Sequence, residues 1–165
     1  MPMPVPNTVG DLAPVAMEEA LIETWRQQRT FQQSIEMRHD GAPFIFLEGP
    51  PTANGKPGIH HVVARTFKDL VCRWKAMEGH FVERKGGWDT HGLPVEHEIE
   101  KELGIFDKQE IESQIGVAEF TRRCRESVMR YIGDWEKMTE RMGFWVDLDQ
   151  AYYTLDNQYI ESVWQ

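Results

Sequence analysis

One stretch limits the possible folds more than any other. Phe44-Ile-Phe-Leu47 is a short apolar run that reads as a buried strand. It leads into Glu48-Gly-Pro-Pro-Thr-Ala-Asn-Gly-Lys-Pro-Gly58, a loop dense in glycine and proline. Val62 to Lys75 then reads as a helix, with His60 and His61 in its first turn. Further on, His80 to Lys85 reads as a second strand. A strand, a helix and a strand at this spacing imply a parallel, right-handed crossover and an α/β fold. Ligands of such sheets sit beyond the carboxyl ends of the strands. The first strand ends at Glu48-Gly-Pro-Pro51 and the second at Gly86-Gly-Trp-Asp-Thr-His-Gly-Leu-Pro94, so both unusual loops are expected on one edge.

The flanking regions read as helical. From Pro14, the residues Met17, Leu21 and Trp25 recur at helical spacing, and Thr30 to Arg38 forms a second short helix. Asp40-Gly-Ala-Pro43 breaks the chain before the first strand. After the loop, Phe67, Leu70, Val71 and Trp74 mark the apolar face expected to pack, and Glu78-Gly79 ends that helix. Val95 to Leu103 is helical, and Asp107 caps a short helix ending near Gly116. From Val117, a stripe of Phe120, Cys124, Val128, Tyr131, Trp135, Met138 and Met142 predicts a long amphipathic helix whose apolar side is core. An aromatic segment, Phe144 to Tyr153, follows, and Asp156 opens a last helix. The chain stops at Gln165 inside that helix, which reads as a truncation.

Composition removes several classes of function. With 165 residues, a mean hydropathy of -0.53 and no apolar run near the ~20 residues that cross a bilayer, no membrane span is expected. Met1-Pro-Met-Pro-Val-Pro6 lacks the layout of a secretion signal and reads as an extended tail. Cys72 and Cys124 alone cannot form a disulfide framework or a cysteine-based zinc site within this chain, and they fit a reducing cytoplasm. A net charge of -9 does not advertise a nucleic-acid surface. Arg122, Arg123, Arg125 and Arg130, interleaved with Glu119 and Glu126, read as a solvated helix face.

The first loop suits a phosphorylated ligand. Pro50-Pro51 fixes the backbone leaving the strand, Asn54-Gly55 permits a tight turn, and Gly58 permits close approach. His60 and His61 stand at a helix N-terminus, where backbone N–H groups and the helix dipole favour negative charge. The loop is not a Walker loop, because Gly55-Lys56 is followed by Pro57, and it lacks a dinucleotide fingerprint. On these grounds alone, a ligand grip and a plain loop with two surface histidines stand level. Asp89, at the second strand end, suits an ammonium group; alone it reads more readily as a cap for the helix at Leu93.

Together, Glu48-Gly-Pro-Pro-Thr-Ala-Asn-Gly55, Gly86-Gly-Trp-Asp-Thr-His-Gly-Leu-Pro-Val-Glu96, Phe144-Trp-Val-Asp-Leu-Asp149 and Tyr152-Tyr-Thr-Leu155 resemble isoleucyl-tRNA synthetase, a class I aminoacyl-tRNA synthetase. The resemblance covers nearly the whole chain after about residue 15. It implies the first half of a Rossmann-like catalytic domain over 41–165, with 1–40 as tail and helical lead-in. It implies formation of isoleucyl-adenylate from isoleucine and ATP with Mg2+, then transfer to tRNA(Ile) through domains not present here, in a cytoplasmic protein expected to be a monomer. By motif position, Gly49, Pro50, Asp89 and His91 belong to the isoleucine side, with Asp89 toward the ammonium group. Thr52, Asn54, Gly58, His60 and His61 belong to the ATP side, and Gly58, His60 and His61 are the catalytic candidates. No protein metal ligand and no zinc is implied in this part. A free-standing nucleotide or amino-acid binding module, or a synthetase for another branched amino acid, are the alternatives.

One departure stands out. The family's His-Ile-Gly-His reads Gly58-Ile59-His60-His61 here, so the first histidine and the glycine have exchanged places. The exchange is associated with a bacterial isoleucyl type resistant to an antibiotic that mimics the adenylate. His61 is then the expected phosphate donor, with His60 turned away from the adenine and a gap at Gly58. The second family signature, Lys-Met-Ser-Lys-Ser, is absent; Lys137-Met-Thr-Glu140 echoes it but sits within a helical pattern.

Overall fold

The computed structural model describes residues 13–165; the tail expected at Met1–Pro6 lies outside them. The order is α1 (Pro14–Gln28), α2 (Thr30–Glu36), an extended segment over 43–52, α3 (Ile59–Met77), β1 (Lys85–Trp88), α4 (Leu93–Leu103), a short turn α5 (Lys108–Glu110) running into a π-helical turn (Ile111–Ile115), α6 (Val117–Arg141), β2 (Asp147–Tyr153) and α7 (Asn157–Trp164). Asp107 caps α5, its side chain accepting from the Gln109 N–H.

The sheet is parallel, as expected, but its strands lie differently. β1 pairs with β2 in the register Lys85–Asp147, Gly87–Tyr152 and Trp88–Tyr153. The second strand therefore runs through Gly86, Gly87 and Trp88, which the sequence assigned to a loop. Those glycines let the neighbour come close: a Cβ on Gly86 would meet the Asp147 carbonyl at 2.9 Å, and one on Gly87 the Tyr152 ring at 2.3 Å. The aromatic segment supplies the partner strand.

The expected first strand is an extended segment held only at its ends. Pro43 bridges Phe81 and Thr52 bridges Asp89, along the edge of the second strand opposite β2. Pro50 and Pro51 have no N–H to give a ladder. Nor is the run Phe44–Leu47 buried throughout. Phe44 and Phe46 pack against Cys72, Ala76 and Val82, while Ile45 and Leu47 are 79% and 84% exposed.

α3 begins at Ile59, earlier than expected, and its orientation reverses the reading of its apolar face. Phe67, Leu70, Val71 and Trp74 are exposed, whereas Arg65, Cys72 and Ala76 are buried. Ion pairs hold the inner face. Asp69 accepts from Arg84 (3.2 Å) and Arg73 (2.6 Å), and Arg84 is almost wholly buried. α6 matches its expectation. Phe120, Val128, Ile132 and Trp135 are buried, and the main core joins Ala53, Trp88, Val95, Val128, Ile132 and Trp135. Its basic residues pair locally, Arg122 with Glu119 and Glu126, and Arg123 with Glu119.

Candidate functional site

The two loops meet at a strand-end bridge. Ala53 N–H donates to the Asp89 carbonyl (2.9 Å) and Asp89 N–H to the Pro51 carbonyl (3.0 Å). The side chains add to this. Thr52 donates from Oγ1 to Asp89 Oδ2 at 2.9 Å, and Thr154 Oγ1 lies 3.5 Å from Oδ1. Thr154, at the end of β2, also accepts from the Thr90 N–H and bonds the His91 imidazole at 2.7 Å. Asp89 is therefore not the cap of α4. That place belongs to Gly92, whose φ of 87° suits glycine. A partly buried carboxylate with two hydroxyl neighbours remains an acceptor, suited to an ammonium donor.

The start of the loop is pinned from below. Lys68 on α3 donates to Glu48 Oε1 (2.7 Å) and to the Gly49 carbonyl (3.0 Å), and the Tyr152 hydroxyl donates to the Glu48 carbonyl (2.9 Å). Pro50 follows this anchor. The loop's far end is held by the Trp135 indole N–H, which donates to the Gly55 carbonyl at 2.9 Å. Asn54 reaches only a long contact, 3.4 Å, to the Pro94 carbonyl.

Gly58 is the N-cap of α3, and its N–H donates to His61 Nδ1 at 2.9 Å. Nδ1 must then carry a lone pair, so neutral His61 holds its proton on Nε2 and can donate from there. Burial lowers the His61 pKa, and the neighbouring His60 and Arg65 charges act in the same direction. The His61 ring packs edge-on against Trp135, 4.5 Å between centroids. His60 does not leave a gap at Gly58. Its ring lies 3.8 Å from that of His61, and a Cβ on Gly58 would meet the His60 ring at 3.0–3.1 Å. The exchanged residues fit together: a bare residue 58 is what lets the His60 imidazole fold back over the helix start.

Beneath the site lies Arg65, 5% exposed. Its guanidinium is 5.9, 5.5 and 5.6 Å from the ring centroids of Trp88, Trp135 and Phe144, and it donates to Thr139 Oγ1 at 2.8 Å. Such ring contacts contribute about 0.5–2 kcal/mol each. Desolvating the cation costs several kcal/mol, so a complementary charge is needed. Glu48 supplies it from the loop start, opposing the fall in the Arg65 pKa that burial causes.

The structure thus brings together Thr52 and Asp89, and Gly58, His60 and His61. His91 turns to Thr154 and lines a separate cleft of about 260 Å³ with Val95, Phe120 and Cys124. Sequence reasoning missed Thr154, Lys68, Trp135 and Arg65 as supports. Trp135 was hidden within a core stripe. Arg65 had one available signal, its place a single turn beyond His61.

Residues 20–165 match the family model described as tRNA synthetases class I (I, L, M and V). The chain belongs to the class I tRNA synthetases. It is 57% identical over 148 residues to the isoleucine-tRNA ligase of Dehalococcoides mccartyi strain CBDB1, covering 90% of this chain and 14% of that protein. It is 52% identical over 161 residues to the isoleucine-tRNA ligase of Thermobifida fusca strain YX, covering 98% and 15%. The chain therefore spans about one-seventh of the length of these synthetases. In fold it is similar to the Agrobacterium radiobacter K84 agnB2 LeuRS in a ternary complex with tRNA and LeuAMS, with a TM-score of 0.64, 20% identity and coverage of 87% and 16%. That likeness is one of fold and fits a Rossmann-like fragment. Among the described residues, no helix is long and apolar enough to cross a membrane.

Proposed function

We propose that this chain is the N-terminal part of the catalytic domain of an isoleucine-tRNA ligase and carries half of its adenylation site. The observation that carries the reading is the Thr52–Asp89 bridge, which sets a carboxylate beside a loop leading into a histidine-bearing helix start. In this reading Asp89 receives the isoleucine ammonium group, oriented by Thr52 and Thr154, beside Gly49 and Pro50. The isoleucine carboxylate attacks the α-phosphorus of ATP, and the bond to the pyrophosphate oxygen breaks. No side chain acts as nucleophile; position and charge stabilisation carry the step. His61 donates from Nε2 to a phosphate oxygen as charge shifts, and His60, folded beside it, presents a second imidazole to the same region. Asn54 and the Gly58 backbone line the ATP side, and Mg2+ accompanies the nucleotide. His91 contributes through Thr154, and tRNA(Ile) is engaged by other parts of the enzyme.

The exposed apolar positions support a larger domain. Ile59, Val63, Phe67, Leu70, Trp74 and Met77 form one face of α3, each more than half exposed. Ile45 and Leu47, on the extended segment, are a second exposed apolar pair. On this reading 41–165 is the first half of a Rossmann-like domain and 13–40 its helical lead-in. Isoleucine-dependent exchange of pyrophosphate into ATP, measured on the full-length protein, tests the proposal. Exchange with isoleucine well above that with valine or leucine is expected, with little or none from the 165-residue chain alone. Equal exchange with valine or leucine overturns the isoleucine assignment.

A further inference from the structure

Arg65 takes no part in the adenylation step described above, yet it touches what holds each half of the site. Trp88, the last residue of β1, immediately precedes Asp89. Trp135 holds the Gly55 carbonyl through its indole N–H and carries the His61 ring on its face. The Arg65 guanidinium lies against both indoles and against Phe144, and is tied to α6 through Thr139, whose hydroxyl in turn donates to the Trp135 carbonyl at 2.7 Å. Trp88 and Trp135 themselves meet edge-on, 6.4 Å between centroids. Beneath them, Glu48 Oε2 and Trp88 Nε1 are buried without a hydrogen-bond partner among the described residues.

We propose that Arg65 is a positioning residue for adenylation: its buried guanidinium spaces Trp88 and Trp135, and so fixes the distance between Asp89 and His61. The planar cation matters here, because a flat delocalised group can lie among several rings while donating at its edge, and a lysine ammonium cannot. The proposal rests on the adenylation reading, and its test separates the two.

Arg65→Lys and Arg65→Met are compared in the full-length protein. The lysine keeps a charge for Glu48; the methionine keeps the apolar stem alone. Both are expected to lower kcat for isoleucine-dependent pyrophosphate exchange by about a hundredfold, as for a small misplacement of reacting groups, with much smaller changes in KM for ATP and isoleucine. The lysine variant is expected to unfold in one cooperative transition at a lowered Tm that still lies well above the assay temperature, so its loss of rate would not reflect unfolding. If the methionine variant does not fold, the lysine variant decides. A lysine variant with wild-type kcat overturns the proposal. Independently of activity, hydrogen exchange of the Trp135 indole N–H is expected to quicken in Arg65→Lys; an unchanged exchange rate also overturns it. A wild-type protein without isoleucine-dependent exchange would refute the adenylation reading instead, leaving Trp135 exchange to decide whether Arg65 holds the indoles.

Discussion

On α6 the apolar positions Phe120, Val128, Ile132 and Trp135 are buried, and Arg122 pairs outward with Glu119 and Glu126. On α3 the arrangement is inverted. Its inner positions, Arg65, Asp69, Cys72 and Ala76, are charged or small, and its outer positions, Phe67, Leu70 and Trp74, are large and apolar. Both helices carry the 3.6-residue period, which reports that one face is apolar and not what lies against it. α6 supports itself on the rest of this chain. α3 turns its polar face to the sheet, where Arg65 lies against Trp88 and Lys68 holds Glu48, and its apolar face is exposed among the described residues.

The comparison can be broken from either side. Trp135→Ala should have the largest effect, a loss of about 3–5 kcal/mol in a denaturant titration of the 165-residue chain, because it empties the core and frees the Gly55 loop. A loss below about 1 kcal/mol would mean that α6 is not the support described. Gly87→Ala should cost about 1–3 kcal/mol by the same measurement, since its Cβ would press on the Tyr152 ring at 2.3 Å. Wild-type stability there would contradict the close β1–β2 approach.

A smaller effect is expected from pH. His61 has a pKa lowered below its usual 6.5, so the folded state resists protonation there. Its contribution favours folding above that value and is lost as pH falls below it, because the unfolded chain then binds the extra proton. Titration of the His61 imidazole by NMR should give a midpoint below 6.5. A midpoint above 6.5 would show that the ring is not desolvated beside the His60 and Arg65 charges as described. The smallest effect belongs to the outer face of α3. Phe67→Ser or Leu70→Ser should change the stability of this chain by no more than about 0.5 kcal/mol. A loss of several kcal/mol would show that these side chains are packed after all.

The same contrast explains what could be read from the sequence. Helices with a matching period and breaker were legible, including the Asp107 cap and the whole of α6. The two loops were legible because Pro50-Pro51 and the glycines around them have few other uses. The strands were less so. Gly86 and Gly87 carry no strand propensity, yet they are in β1 because only glycine allows β2 so near. Phe44–Leu47 has the composition of a buried strand, but among the described residues nothing covers Ile45 and Leu47. Arg65 was invisible as a buried group because three aromatic rings and Glu48, remote in sequence, make its burial tolerable. The exchange of His60 and Gly58 was visible as letters, but its compensation depends on how the His60 ring folds.

On the proposed reading, Asp89 and His61 serve two sides of one reaction. Isoleucine-dependent pyrophosphate exchange by full-length Asp89→Asn and His61→Ala enzymes tests it directly. Asp89→Asn should raise KM for isoleucine by roughly ten- to a hundredfold, the loss of a charged hydrogen bond of about 1.5–3 kcal/mol, with KM for ATP little changed. His61→Ala should lower kcat by the equivalent of about 2.7–4 kcal/mol, as for one transition-state donor. An Asp89→Asn enzyme with unaltered isoleucine KM, or a His61→Ala enzyme with unaltered kcat, would contradict the account.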